Sequence, residues 1–214
     1  MTAIDTILFD FDGTLGDTNR LIAESYLYVF DKYFPGQYDL NSVRKFNSPP
    51  LYDVFAEVYP EDPQKLVDEY RAFNQEKHDE LIRPFPHVTE ALDELKHHHL
   101  QLAVVSTKKR SVLNRGLSAL NLTGYFDVIL GGDEYQHAKP APDGLDTAVT
   151  LLGAEKEQSI MVGDNWHDIE AANQAKMRGV FVEWSEKPLT EILPYKPYKT
   201  VKSMLELTSW VLSS

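Results

Sequence analysis

Apolar side chains along this chain fall into two rhythms. Five short runs, Ile4–Phe9, Gln101–Val105, Phe126–Leu130, Ser159–Val162 and Val180–Trp184, are rich in β-branched residues and lack clean polar alternation. Such runs predict strands buried on both faces, as in a parallel sheet. Between them the spacing widens to i, i+3, i+4, i+7. Val88, Ala91, Leu92 and Leu95 follow it, and so do Leu145, Ala148, Val149 and Leu152 after Pro142, a residue suited to a first helical turn. Strands alternating with single helices predict right-handed crossovers and a doubly wound α/β sheet.

One stretch breaks the alternation. From about Asp17 to about Leu81 there is no convincing strand, only helical stripes: Ile22, Tyr26, Val29, Phe30 and Tyr33; Leu51, Val54, Phe55 and Val58; Leu66, Tyr70 and Phe73. Turn-rich segments at Phe34–Gln37, Asn47–Pro50 and Tyr59–Pro63 separate them. The pattern predicts an all-helical domain over residues 16–81, inserted after the first strand of an α/β core made of residues 1–15 and 82–214.

Composition narrows the possible functions. With 43% hydrophobic residues in 214, the chain can bury a sizeable core. No stretch approaches the roughly 18 apolar residues of a membrane span, and Met1 to Phe9 lacks a basic segment leading into a long apolar one. A cytoplasmic protein without membrane association is expected. The absence of cysteine excludes disulfides, thiolate metal sites and cysteine nucleophiles. Basic residues number 21 against 33 acidic, a net charge of −12 divided equally between the two expected domains. That balance disfavours a nucleic-acid partner.

In an open parallel sheet, ligands bind beyond the carboxyl ends of the strands. The first run ends in Asp10-Phe11-Asp12-Gly13-Thr14. Extended spacing would point Asp10 and Asp12 together, with Phe9 and Phe11 toward the core. Two adjacent carboxylates need a cation to stay ionised, although Asp and Gly also end strands in ordinary turns. After Gln101–Val105 come Ser106 and Thr107, either phosphate ligands or helix caps. Lys108-Lys109-Arg110 follows, an unfavourable run at a helix N-terminus that suggests an anion nearby, with a solvated basic tip as the alternative. Lys139 sits between Ala138 and Pro140 in a proline-stiffened loop, either solvated or a phosphate ligand. Gly163-Asp164-Asn165-Trp166-His167-Asp168 closes the fourth run, where Asp164 is a metal ligand or an N-cap. Taken together these segments describe a magnesium site with oxygen ligands, and a lysine and hydroxyl for a phosphoryl group.

The motifs resemble those of the haloacid dehalogenase superfamily over essentially the whole chain. Asp10 to Leu15 is similar to its first motif, Ser106 to the second, Lys139 to the third, and Gly163-Asp164 with Asp168 to the fourth. Within it the chain resembles the phosphoglycolate phosphatase-like group. Tyr70–Asn74, His78–Leu81 and Gly163–Asn165 look closest to the bacterial pyrophosphatase branch associated with HPr kinase/phosphorylase. The resemblance implies that Asp10 is the nucleophile and Asp12 the acid and base. It implies Mg2+ on Asp10, Asp12 (through its carbonyl) and Asp164, with Asp168 behind. Ser106 and Lys139 would hold the phosphoryl group, and Gly13, Thr107, Lys108 and Asn165 would complete the substrate site. The helical insertion would be the family's cap, and the substrate a small phosphorylated metabolite, phosphoglycolate or pyrophosphate foremost. A monomer or homodimer is expected.

Two positions depart from the family pattern: Asn47-Ser48-Pro49-Pro50 in the cap loop, and Thr107 where asparagine is common. Asp12 argues against a dehalogenase and Gly163-Asp164 against a sugar phosphomutase. A phosphonate hydrolase would need a cap lysine such as Lys32 or Lys45. A signalling receiver domain would put its phosphoacceptor after the third strand and carry no cap. A non-catalytic protein that kept the fold would have no reason to retain Asp10, Asp12, Lys139 and Asp164 together. Arg20, Arg44 and Lys45 are further cap candidates for an anion, and Trp166 and His167 for the cleft. His97-His98-His99 is read as a solvated helix end, because successive helical side chains point about 100° apart.

Overall fold

The computed structural model of the chain describes residues 3–47, 50–185 and 187–214. The cap-loop departure at Ser48 and Pro49 lies outside them. In chain order the elements are β1 (Thr6–Phe9), β2 (Gly16–Asp17), α1 (Asn19–Tyr33), α2 (Leu51–Val58), α3 (Pro63–Leu81), β3 (Arg83–Pro84) and α4 (Val88–His97). They continue as β4 (Gln101–Val105), α5 (Arg110–Ala119), β5 (Val128–Leu130), α6 (Asp143–Leu152), β6 (Ser159–Gly163), α7 (Trp166–Ala175), β7 (Arg178–Val182), α8 (Leu189–Ile192), β8 (Lys199–Val201) and α9 (Met204–Leu212).

The chain divides into two compact units, residues 1–17 with 83–214 and residues 18–82. This puts Gly16 and Asp17 with the sheet and Ile82 with the helices, a small shift from the boundaries expected at 15/16 and 81/82. The reason is local pairing. Gly16 and Asp17 form an antiparallel ribbon with Pro84 and Arg83, so both connections between the units leave from paired backbone.

The first unit carries a parallel sheet in the order β5-β4-β1-β6-β7-β8. All its pairings run parallel, as the unbroken apolar runs imply. Ile7 lies between Leu102 and Ile160, so β1 is covered by a strand on each side. From β1 the chain proceeds through β4 to β5 on one side, then returns to β6 and continues outward on the other. The order therefore reverses between β1 and β6, the place where this architecture opens a crevice. Strand β7 begins at Arg178, two residues before the predicted start, because Lys176 ends α7 in the left-handed conformation (φ 60°) and the chain enters the sheet at once.

The second unit is built around rings. Tyr26, Phe30, Phe55 and Tyr70 are buried together, with Phe46 and Tyr38 against them. Tyr26 lies 4.8 Å from Tyr70 and Phe30 lies 4.3 Å from Tyr38, centroid to centroid. Helix α3 starts cleanly because the Asp62 carboxylate accepts from Lys65 N–H at 3.2 Å and Pro63 occupies the first turn.

Candidate active site

Phe9 and Phe11 are both fully buried, which anchors the end of β1 and projects Asp10 beyond the sheet. Asp10 Oδ1 accepts from Lys139 Nζ at 2.8 Å. The same ammonium lies 2.6 Å from Asp168 Oδ1 and donates to the Val105 carbonyl at 3.0 Å. A lysine has three protons to give, and all three of Lys139's are engaged. Its side chain is 3% exposed and that of Asp168 2%. The proline-stiffened loop thus delivers a buried cation rather than a solvated one.

Helix α7 sets the second side of the cluster. Its N-cap is Asn165, not Asp164: Asn165 Oδ1 accepts from His167 N–H, and Asp168 Oδ2 accepts from Asn165 N–H at 3.1 Å. This reciprocal cap fixes Asp168 and releases Asp164 from any capping duty. It also commits the Asn165 side-chain oxygen, expected at the substrate, to the helix. Two glycines make room for the acids. A Cβ on Gly13, whose φ is +75°, would sit 2.1 Å from Asp164 Oδ2, and one on Gly163 would sit 2.3 Å from Asp168 Cγ. Carboxylate oxygens of Asp10, Asp164 and Asp168 consequently lie within 4.8 Å of one another.

Asp12 is absent from that set. Its carboxylate lies 3.2 Å from Lys108 Nζ, and its backbone bridges to Gly16. Asp12 still raises the Asp10 carboxyl through its charge, and the chain turns through Gly13 directly after it. Ser106 is buried; its Oγ accepts from Lys108 N–H at 3.3 Å and its carbonyl accepts from Tyr135 O–H at 2.8 Å. It is not a helix cap, since α5 begins after Lys109. Thr107 is exposed. The basic run finds acids within the protein: Lys108 on Asp12, and Arg110 on Glu134 at 2.9 Å and on the Ile129 carbonyl.

Burial pushes the Asp10 carboxyl up to about 7; Lys139 pulls it down, and Asp168 and Asp12 push it further up. Burial, then Asp168 and Asp10, hold Asp164 well above the ordinary carboxylate range. Burial alone would lower Lys139, but Asp10 and Asp168 outweigh it and leave the ammonium firmly protonated. Ionising all three carboxylates would leave two negative charges that Lys139 does not balance, and burial together with that imbalance is what holds Asp10 and Asp164 up without another cation. A hard divalent cation with oxygen ligands fits both that deficit and that donor set.

Three residues near the cluster escaped the sequence reading. Tyr135 holds the Ser106 carbonyl, and Trp184 Nε1 donates to the Thr14 carbonyl at 3.1 Å. Lys187 lowers the Asp164 carboxyl through its charge. Lys187 follows a predicted strand end and was findable by the rule that found Asp164; Tyr135 left no comparable signal. Trp166 stacks on Tyr195 at 4.9 Å in a cluster with Ile169, Phe181 and Ile192, and its ring lies 3.6 Å from that of His167. In the helical unit, Arg20 pairs with Glu24 at 2.7 Å and Lys45 lies over the Phe46 ring at 4.9 Å. Lys32 pairs with Glu69, whose hydrogen bond raises the Lys32 ammonium above its ordinary value. That is the reverse of what an imine-forming lysine needs.

Acids just beyond the two strands that flank the reversal of strand order, with a buried lysine bridging Asp10 to Asp168, mark a protein of the doubly wound α/β class. Residues 7–182 match the model of the haloacid dehalogenase-like hydrolases. Pyrophosphatase PpaX of Bacillus velezensis is 41% identical over 95% of this chain and 94% of its own length. The PpaX of Anoxybacillus flavithermus is 38% identical over 96% of each. A haloacid dehalogenase-like hydrolase from Streptococcus pneumoniae superposes with a TM-score of 0.82 at 26% identity, over 98% of this chain and 99% of that one. The chain belongs to the haloacid dehalogenase-like hydrolase family, and as an enzyme it is a phosphohydrolase. Among the described residues no helix is long and apolar enough to cross a membrane.

Proposed function

We propose that the protein hydrolyses inorganic pyrophosphate in a magnesium-dependent reaction that passes through a phosphorylated Asp10, with the helical unit as its cap. The observation that carries the reading is the convergence of Asp10, Asp164 and Asp168 around a fully engaged, buried Lys139. The similarity to enzymes named pyrophosphatase supports the substrate. Asp10, the Asp12 carbonyl and Asp164 would hold Mg2+, with Asp168 ordering them from behind. The ion would supply the missing positive charge and polarise a phosphoryl oxygen.

Lys139 occupies Asp10 Oδ1, so the other carboxylate oxygen attacks phosphorus in line. As that bond forms, the bridging P–O bond breaks and Asp12 gives its proton to the departing phosphate. Lys108, beside Asp12, receives the charge of that leaving group. Water then attacks the phosphorus of the aspartyl phosphate. Asp12 takes its proton, the acyl–phosphate P–O bond breaks, and phosphate leaves with Asp10 regenerated. Ser106 and the ammonium of Lys139, which exchanges one carboxylate contact for a phosphoryl oxygen, offset charge in both transition states.

A panel of pyrophosphate, phosphoglycolate, sugar phosphates and nucleotides, assayed with Mg2+ and with chelator, tests this. Pyrophosphate should give the highest kcat/KM and chelation should abolish turnover. Activity that survives chelation would sink the mechanism, and a phosphomonoester turned over better than pyrophosphate would sink the substrate.

A further inference from the structure

We propose a second metal site at the carboxyl end of α4, formed by Glu94, His97 and His98 and suited to a borderline transition ion such as Zn2+. It lies outside the carboxylate cluster and does not depend on the reaction proposed above.

The three successive histidines cannot meet at one point, but the residue that completes a site is one turn earlier. Glu94 stands at i relative to His97 at i+3 and His98 at i+4, a spacing that puts all three on one helical face. One ligand atom from each lies within 4.8 Å of the others. Glu94 Oε1 is already 3.2 Å from His98 Nε2, and the two imidazoles sit 5.4 Å apart, nearly perpendicular. A tetrahedral zinc site separates its donors by about 3.3 Å, given metal–nitrogen bonds near 2.0–2.1 Å. All three side chains are exposed, so small rotamer adjustments close the remaining gap without disturbing the core.

Donor type separates this site from the first. Two imidazoles and one carboxylate favour zinc, nickel or copper, whereas an all-carboxylate pocket favours magnesium. Its position suits a cation as well: the helix ends here, with His98 as C-cap, and the carboxyl end of the macrodipole is negative. The nearest competing charge on the helix is neutralised, because Lys96 is held by both oxygens of Asp127 at 2.9–3.0 Å. His99 adopts the left-handed conformation (φ 62°) and lies outside the group. Three protein ligands leave a fourth position for water or an external donor.

Isothermal titration of the full chain with Zn2+, in a saturating excess of Mg2+, tests the assignment. The intact protein should bind one more equivalent of zinc than the double variant His97→Ala/His98→Ala. Glu94→Gln, which preserves shape, should weaken that equivalent by more than about tenfold, the least that disturbing a metal's surroundings costs. His99→Ala should bind as the unaltered protein does. Circular dichroism without metal checks that each variant is folded. The site is overturned if the double variant keeps the full stoichiometry, if Glu94→Gln binds unchanged, or if His99→Ala loses the same equivalent.

Discussion

The two units bury different things. The helical unit fills its interior with rings, Tyr26, Phe30, Phe55 and Tyr70 among them, and buries only a few polar side chains, such as Ser25 and His78, beside them. The sheet unit has an equally apolar core along β1, β4 and β6, yet it also buries Lys139, Asp164 and Asp168 at the ends of those strands. Burying ions costs stability unless each is paired. Here pairing is deliberately incomplete, because the acids outnumber the lysine that meets them. The interior of the helical unit shows packing for stability; the strand ends of the sheet unit show a region shaped for chemistry, with a charge deficit left for a ligand to relieve.

The sharpest test of that contrast is Asp10→Asn. Turnover should fall by about 10⁴-fold, equivalent to about 5 kcal/mol of barrier, as when a nucleophile is removed. Metal-free stability should move the other way. Burial raises the Asp10 carboxyl, so its ionised form weakens the fold, and a neutral amide should hold or raise the melting temperature. A variant that loses activity together with stability would break the comparison.

Lys139→Met should be costly on both counts. It strips Asp10 and Asp168 of their shared partner, and an orphaned buried ion costs about 3–5 kcal/mol. Added Mg2+ should restore part of the melting temperature, measured calorimetrically, because it replaces some of the missing positive charge. In the helical unit, Phe55→Ala should cost a similar amount, about 3–5 kcal/mol, but for loss of packing. Here Mg2+ should restore nothing beyond what it gives the unaltered protein. Equal rescue of the two variants would erase the distinction between the units.

The sequence revealed the units unevenly. The strands that flank β1 were visible as apolar runs because both their faces are buried. Strand β8 was missed: it is a sheet edge with Lys199 and Thr200 only half-buried, so it lacks that signature. The ribbon of β2 and β3 is too short for any periodicity. At the candidate site, the strand-end rule pointed to Asp10, Ser106 and Asp164, and the topology puts each of them just beyond a strand. The rule could not show that the basic run also meets acids of the protein, because Asp12 and Glu134 are distant from it in sequence.

The smallest expected effect asks whether the units differ anywhere except in their interiors. Each carries a surface acid held the same way. Burial pushes Asp127 up, but the Leu102 N–H at 2.9 Å and Lys96 outweigh it and hold the carboxyl below its usual range. Burial likewise pushes Glu69 up, and Lys32 and Tyr33 outweigh it. A carboxyl depressed in the folded state contributes stability that is fully present above its unfolded pKa. That stability is lost as pH falls through the lower folded value, because the unfolded chain then binds the extra proton. The contribution therefore disappears only on the acid side of about pH 4, the ordinary carboxylate range. Asp127→Asn and Glu69→Gln should each flatten the acid limb of a stability–pH curve, leave the neutral region changed by no more than about 1 kcal/mol, and lose their effect in high salt. If the two substitutions behave alike while Lys139→Met and Phe55→Ala do not, the units share one surface chemistry, and only what each buries separates a scaffold from a reactive centre.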